Sequence, residues 1–172
     1  SVKIEFHLYI IKSWDGNNII NDCAPDIFSV IIDNKDIYHT TFANNPGFTQ
    51  DYPDQYDKNN PHNNPTQYMA YEVNTLGYLH YGHEEWYDYG DAVYHFKDDK
   101  ALVQSHSGSD LKIIFDASLY QSSSIAWSRE LRDESWGITL VKVSLYNCYL
   151  PVSISSSGET SFCEGDSVIL SA

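Results

Sequence analysis

The chain is poor in cysteine and in positive charge. Its 172 residues include three cysteines, Cys23, Cys148 and Cys163, which form no CxxC pair and have no zinc-type spacing with histidine. No GxSxG, HExxH, phosphate-loop or dinucleotide motif occurs, and no apolar run is long enough to span a membrane. The sequence therefore has no signature of a zinc site, of those enzyme classes or of membrane insertion. The odd cysteine count leaves a free thiol or a disulfide partner outside this sequence.

Positive charge is scarce because 10 Lys and Arg face 24 Asp and Glu, which gives a formal net charge of −14. Such a chain repels phosphate backbones, so nucleic acid is excluded as a partner. Two interpretations of the acidic excess remain. It keeps the protein soluble, or part of it binds calcium, a hard cation that prefers carboxylate and amide oxygens.

Apolar residues alternate along most of the chain, as in half-buried strands. Residues 2–11 place Val2, Ile4, Phe6, Leu8 and Ile10 on one face. Further segments with strand character are separated by short turn-like clusters, and DNKD at 33–36 predicts a hairpin. The predicted strands are 26–33, 37–42, 68–79, 92–96, 100–106, 111–119 and 137–146. Only SRELRDES, residues 128–135, suggests a helical turn.

Residues 44–67 interrupt this pattern with four of the six prolines, Pro46, Pro53, Pro61 and Pro65, and many Asn and Asp. Proline excludes a helix or a central strand here, and so long a loop is usually functional or mobile. Two interpretations stay open: the loop tyrosines, Tyr52 and Tyr56, form one wall of a ligand groove, or the loop covers a sheet edge.

The character of the chain changes after Cys148, where a Ser-rich connector leads into a new strand pattern. We therefore expect a β-sandwich over residues 1–148, then a linker and the first strand of a further domain over residues 149–172. The sequence is expected to be a fragment of a longer protein.

Several segments resemble known families. FHLYIIKSWDGN, APDIFSVIIDNKDIYHTTFAN and RDESWGITLVKV, in this order within residues 2–145, resemble secreted bacterial jelly-roll domains of the carbohydrate-binding-module type. SFCEGDSVILSA resembles the first strand of Ig-like repeats in surface proteins of Bacteroidetes, where the cysteine pairs within its own repeat. The resemblances imply an all-β, antiparallel β-sandwich of jelly-roll type, a secreted or cell-surface parent with an adhesive role, and no enzyme activity.

The resemblance also concerns calcium. In related jelly rolls, acids where the first and last strands meet ligate a structural calcium ion, but three such positions here are His7, Lys12 and Thr139. Turns rich in Asp and Asn still supply oxygen ligands. The predicted calcium site comprises Asp15, Asn17, Asp26, Asp133 and Glu134. The alternative is that Asp15 and Asp133 only cap turns.

Residues 78–91, YLHYGHEEWYDYGD, combine aromatic rings with carboxylates. Sugars present apolar faces and rims of hydroxyls, so a glycan site needs flat rings beside hydrogen-bond acceptors. The predicted ligand-binding residues are Tyr78, Tyr81, Trp86, Tyr87 and Tyr89. The alternative is a hairpin whose rings are half-buried. Trp14 and Trp136 are instead expected to pack in the core.

Neighbouring acids such as Glu84 and Glu85 do not make a glycosidase, because adjacent strand residues point to opposite faces. The sequence thus predicts a non-catalytic recognition domain that binds a polysaccharide or other glycan. The alternative function is a structural or adhesive spacer with a protein or cell-envelope partner and no sugar site.

Overall fold

The computed structural model describes residues 1–18, 25–76, 90–119, 134–145, 152–154 and 158–160, the last two ranges as backbone only. In these residues the chain forms twelve strands and one 3-10 turn, Lys100–Leu102, and no α-helix. The strands are β1 (Val2–Lys12), β2 (Ile27–Ile32), β3 (Lys35–Thr41), β4 (Thr49–Gln50), β5 (Asn64–Pro65), β6 (Glu72–Val73), β7 (Asp91–Phe96), β8 (Val103–Gln104), β9 (Ile113–Ser118), β10 (Glu134–Leu145), β11 (Val152–Ile154) and β12 (Gly158–Thr160).

Two antiparallel sheets form a β-sandwich, as the sequence predicts. One sheet has the order β10-β1-β7-β6, with β8 paired to the start of β1. The other has the order β3-β2-β9. Two further antiparallel pairs are β4-β5 and β11-β12. The prediction of an all-β, antiparallel sandwich is confirmed.

The core lies between the inner faces of the two sheets. Along β1 every second side chain from Val2 to Ile10 is buried, because successive strand residues point to opposite faces. Phe6 of β1 packs on Phe28 of β2 in the facing sheet and stacks on Phe96 of β7 at 4.5 Å between ring centroids. Aromatic rings thus join the two sheets at the centre of the core.

The predicted hairpin at 33–36 is present, with a loop of only two residues. Asp33 and Asn34 connect β2 to β3, and both have positive φ values, 50° and 66°. Aspartate and asparagine tolerate this left-handed conformation, and two such residues give the hairpin turn that matches strand twist.

Three strand predictions need correction. In the described part of the predicted strand 68–79, only Glu72–Val73 pairs, because turns with positive φ at Met69 and Asn74 break the extended backbone. Residues 100–106 form the 3-10 turn followed by the two-residue β8. The last strand begins at Glu134, three residues earlier than predicted. The last two residues of the predicted helical turn, Glu134 and Ser135, therefore belong to a strand.

The Pro- and Asn-rich stretch is held against the sandwich by hydrogen bonds. β4 pairs with β5, and the Tyr56 N–H donates to His39 O at 3.0 Å. Tyr52 is buried against Phe42 and Tyr94, so its ring belongs to the core and is not a wall of a groove. The sequence hypothesis of a ligand role for Tyr52 is therefore wrong, because the chain folds that ring inward.

Among the described residues, no helix is long and apolar enough to cross a bilayer. The predicted change of domain near residue 149 is a prediction still. In that region the structure gives the backbone of a short antiparallel hairpin, Val152–Ile154 with Gly158–Thr160.

A candidate metal and ligand site at one end of the sandwich

Six strand ends meet at one end of the sandwich, which we call the cluster end. Here β1, β3 and β9 end while β2, β7 and β10 begin, as the registers Lys12 with Glu134 and Ile27 with Thr41 show. Strand pairing alone therefore brings together the residues that follow β1, those that precede β2 and the first residue of β10.

Three of the five predicted metal ligands converge at the cluster end. Asp15 follows β1, Asp26 precedes β2 and Glu134 opens β10, and one carboxylate oxygen of each lies within 4.8 Å of the other two. Asp26 and Glu134 are buried, at 1% and 6% exposure, and Asp15 is half-buried. Residues far apart in the sequence thus form one cluster of three carboxylates.

Backbone hydrogen bonds fix the turn that carries Asp15. The Asp15 N–H donates to Asp26 Oδ2 at 2.6 Å, and Asp15 forms a β-bridge with Ala43. The Trp14 indole N–H donates to Ser135 O at 2.9 Å, which ties the SWDG turn to the DESWG segment. Trp14 is fully buried, so the expectation that this ring packs in the core is confirmed.

Gly16 is required by this turn. Its φ is +63°, and a Cβ at this position would lie 2.1 Å from Thr49 O. The chain needs this close approach because the next residue, Asn17, donates its N–H to the same carbonyl at 2.7 Å. Glycine alone fits both the left-handed conformation and the contact.

The Asn17 side chain bonds to two residues other than the three carboxylates. Its Nδ2 donates to Asp51 Oδ1 at 2.7 Å, and its Oδ1 accepts from the Thr41 hydroxyl. The amide links the SWDG turn to the loop that follows β4. Asp133, the fifth predicted ligand, lies outside the described residues.

Sequence reasoning missed Asn45. Its side-chain amide contacts Asp15 Oδ1, and Asn45 Nδ2 lies 3.5 Å from Ser13 O. The side chain is buried, and no hydrogen-bond partner of its Oδ1 is found in the structure as described. Asn45 lies in the Pro- and Asn-rich stretch, whose composition predicts a loop and contains no pattern typical of metal ligands.

Three positions that are acidic in the resembled family are not acidic here. Two of them lie away from the three carboxylates at the cluster end. His7 and Thr139 pair with each other across β1 and β10. His7 is five residues from Lys12 along β1, or roughly 17 Å at the rise of a strand. Only Lys12, opposite Glu134, stands at the cluster end.

All five predicted ligand-binding aromatic residues, Tyr78, Tyr81, Trp86, Tyr87 and Tyr89, lie outside the described residues. The residues on either side of that segment are placed at the cluster end. The buried Asp91 carboxylate accepts from the N–H groups of Thr75 at 2.9 Å and Leu76 at 3.0 Å. The Lys12 N–H donates to Gly90 O at 3.0 Å.

Comparison with protein-family models, with curated proteins and with solved structures found no match.

Proposed function

We propose that this chain is a non-catalytic, extracellular recognition domain of jelly-roll type that binds a glycan and is stabilised by calcium at its cluster end. The observation that carries the proposal is the convergence of Asp15, Asp26 and Glu134 from three distant segments. The described residues that border the predicted ligand residues, Leu76 and Gly90, both lie at this end of the sandwich.

The distances among the carboxylates suit calcium. Calcium–oxygen bonds are about 2.3–2.6 Å long, so oxygens on opposite sides of one ion are about 4.8 Å apart. Three oxygens within 4.8 Å of one another therefore lie close to the spacing of ligands around one calcium ion, and small side-chain movements would bring all three into reach. Asn45, whose Nδ2 donates to Asp15 Oδ1, would add its Oδ1 as a neutral ligand, and water would complete the six to eight that calcium takes.

The same distances disfavour a glycosidase. A catalytic carboxylate pair has the sugar between its two members, with separations of about 5–10 Å. Asp26 and Glu134 are buried and closer than this, so a sugar ring does not fit between them. A cation, in contrast, offsets the repulsion of three adjacent carboxylates.

Calcium is expected to raise the melting temperature of the EDTA-treated protein by about 5–10 °C. Saturation at about 100 times Kd adds about 2.7 kcal/mol to the free energy of unfolding, and each kcal/mol shifts a domain of this size by about 2–4 °C. Differential scanning calorimetry with calcium, with magnesium and without a divalent ion measures this. Magnesium should give a smaller shift because it needs shorter, octahedral bonds.

Asp26→Asn and Glu134→Gln should abolish the calcium-dependent shift, whereas Asp116→Asn, an exposed acid on β9, should keep it. A wild-type melting curve that is the same in EDTA and in saturating calcium would contradict the calcium proposal.

The glycan proposal is supported by the composition of residues 78–91 and by the position of the bordering residues Leu76 and Gly90 at the cluster end. An aromatic ring stacks on the apolar face of a sugar, and nearby carboxylates accept hydrogen bonds from its hydroxyls. At a net charge of −14 the protein repels acidic ligands, which favours a neutral polysaccharide.

Trp86→Ala is expected to abolish binding to a neutral polysaccharide. Affinity electrophoresis in gels that contain xylan, mixed-linkage glucan or galactomannan should retard the wild-type protein and not the variant. Trp14 is unsuitable as a control because it is buried; Leu145→Ala on β10 removes an exposed side chain outside the segment and should leave retardation unchanged. Retardation that is equal for wild type and Trp86→Ala would contradict the assignment of Trp86.

One observation favours the alternative function of a spacer. Strand β10 exposes Leu140 and Leu145 at 70% each, with Val141 and Val143 at 46% and 45%. These apolar side chains lie just before the predicted domain change, where a following domain could pack on them. Absence of retardation by every polysaccharide tested would favour this spacer over the recognition domain.

A further inference from the structure

Three aromatic rings form a continuous stack on the outer face of the first sheet. His7 of β1 and His95 of β7 are direct cross-strand neighbours, and their rings are 3.6 Å apart at an angle of 16°. The Tyr71 ring covers the other face of His95 at 3.8 Å and 25°. The stack therefore runs from the centre of the sheet towards its edge strand β6 and ends at Tyr71.

Tyr71 is both fixed and accessible. Its N–H donates to Val93 O at 2.7 Å, and the next residue, Glu72, begins β6. Its side chain nevertheless is 64% exposed. Because His95 occupies one face of the phenol ring, the opposite face is the one that remains for a ligand. A ring held by backbone pairing and stacking loses little conformational entropy when a ligand binds it.

Tyr71 lies in the richest exposed apolar segment of the described chain. Five of the nine large hydrophobic side chains that are exposed fall within nine residues, namely Tyr68, Met69, Tyr71, Val73 and Leu76. Exposed apolar side chains that are contiguous mark binding surfaces more often than scattered ones. This segment leads directly into the predicted aromatic segment and is anchored by Asp91.

The surroundings of Tyr71 select the chemistry of the ligand. The rings behind it are imidazoles, and the neighbouring Glu72 carboxylate is an exposed hydrogen-bond acceptor. A ligand with an apolar face and a rim of hydroxyl donors satisfies both groups, whereas an anionic ligand meets the repulsion of Glu72 and of the net charge of −14.

We infer that Tyr71, backed by the stacked rings of His95 and His7, is a sugar-stacking subsite for a neutral polysaccharide. This inference rests on the proposed glycan-binding function and adds to it a residue from the segment before the predicted aromatic residues. The stack presents the exposed face of Tyr71 in a fixed orientation at the edge of the sheet.

The histidine stack gives the subsite a pH dependence. Burial, and then the charge of His7, lower the pKa of His95 from its ordinary value of 6.5, so the neutral ring is favoured in the stack. Protonation of His95 places a charge in the stack, 3.6 Å from the His7 ring, so stacking weakens as the pH falls through the lowered pKa of His95. The charged or titratable groups around the pair are Glu72 of β6, Lys97 after β7, Glu5 and Tyr9 of β1, and Lys142 of β10, which pairs with Glu5.

The test compares variants of Tyr71 in affinity electrophoresis with xylan, mixed-linkage glucan and galactomannan, and with pectin as an acidic polysaccharide. Tyr71→Ala should lose retardation by the neutral polysaccharide that retards the wild type, and Tyr71→Phe should keep it because the ring remains. Met69→Ala removes a comparably exposed side chain, 60% exposed, that is not part of the stack, and should bind as the wild type does.

A second readout separates a ligand contact from a structural role. The wild-type affinity should fall as the pH is lowered through the depressed pKa of His95, and His95→Phe, which keeps a ring and removes that titrating group, should reduce the fall. The melting temperatures of Tyr71→Ala and Tyr71→Phe should be close to that of the wild type, since Tyr71 is exposed.

The outcomes distinguish this subsite from the proposed function as a whole. A wild type retarded by no polysaccharide would overturn the glycan-binding function and this inference with it. Equal retardation of the wild type and of Tyr71→Ala would overturn only the inference about Tyr71. Retardation of the wild type by pectin and by no neutral polysaccharide would also overturn this inference.

Discussion

Phe28→Ala is expected to lower the free energy of unfolding by about 3–5 kcal/mol. Phe28 is fully buried on β2, and its ring contacts five others. The contacts are with Phe6, Phe42, Phe96, Phe115 and Trp136, at centroid distances of 5.4–6.5 Å. Because these rings come from both sheets, loss of the Phe28 ring leaves a cavity at the centre of the sandwich.

The measurement is urea unfolding followed by tryptophan fluorescence. A domain has only about 5–15 kcal/mol of stability in total, so the urea midpoint should fall sharply while the slope changes little. Ser29→Ala is the matched control, since the neighbouring strand residue points to the outer face and should cost under about 0.5 kcal/mol. A loss below about 1.5 kcal/mol for Phe28→Ala would show that the core is not centred on this ring.

The sequence predicts the long strands well because their signal is local. Along β1 and β2 the residues alternate between a buried and an outer face of the sheet. Whether each residue is apolar or polar therefore indicates which face it lies on. The segment 68–79 also has apolar residues at alternate positions, but tertiary contacts decide its conformation. The Asp91 carboxylate takes the N–H groups of Thr75 and Leu76, which a strand would give to a neighbouring strand.

The candidate site is partly predictable for a similar reason. Asp15, Asp26 and Glu134 adjoin strand ends, so strand pairing carries them to one place once the topology is known. Asn45 is positioned by the irregular path of the chain after β3, which no local pattern encodes. Asn17 has the right residue type and position, but the buried Asp51 engages its amide through a contact 34 residues away.

Asp51→Ala should destabilise the domain by about 3–5 kcal/mol and also weaken calcium binding. Asp51 is fully buried, and its carboxylate accepts from Asn17 Nδ2 at 2.7 Å, from the His62 N–H at 2.8 Å and from the Asp57 N–H at 3.2 Å. Each buried donor left without an acceptor costs about 1–3 kcal/mol, and hydrogen bonds to a carboxylate are the stronger kind.

Asp51 connects two parts of the cluster end. Through His62 and Asp57 it holds the Pro- and Asn-rich stretch, and through Asn17 it holds the turn that carries Asp15. Its removal should therefore loosen the turn on which one proposed calcium ligand depends. Urea unfolding measures the first effect, and calorimetric titration with calcium measures the second. Asp116→Ala, on the exposed face of β9, should alter neither.

A double-mutant cycle with Asn17→Ala isolates the connection between loop and turn. If the Asp51 carboxylate acts on the turn through Asn17, the two substitutions should be non-additive, with a coupling of about 0.5–3 kcal/mol in the free energy of unfolding. The cycle applied to calcium affinity should show the same sign, because the Asn17 amide is the link between Asp51 and the Asp15 turn. Strict additivity in both measurements would mean that loop and turn are held independently, and that Asp51 stabilises the loop without positioning Asp15.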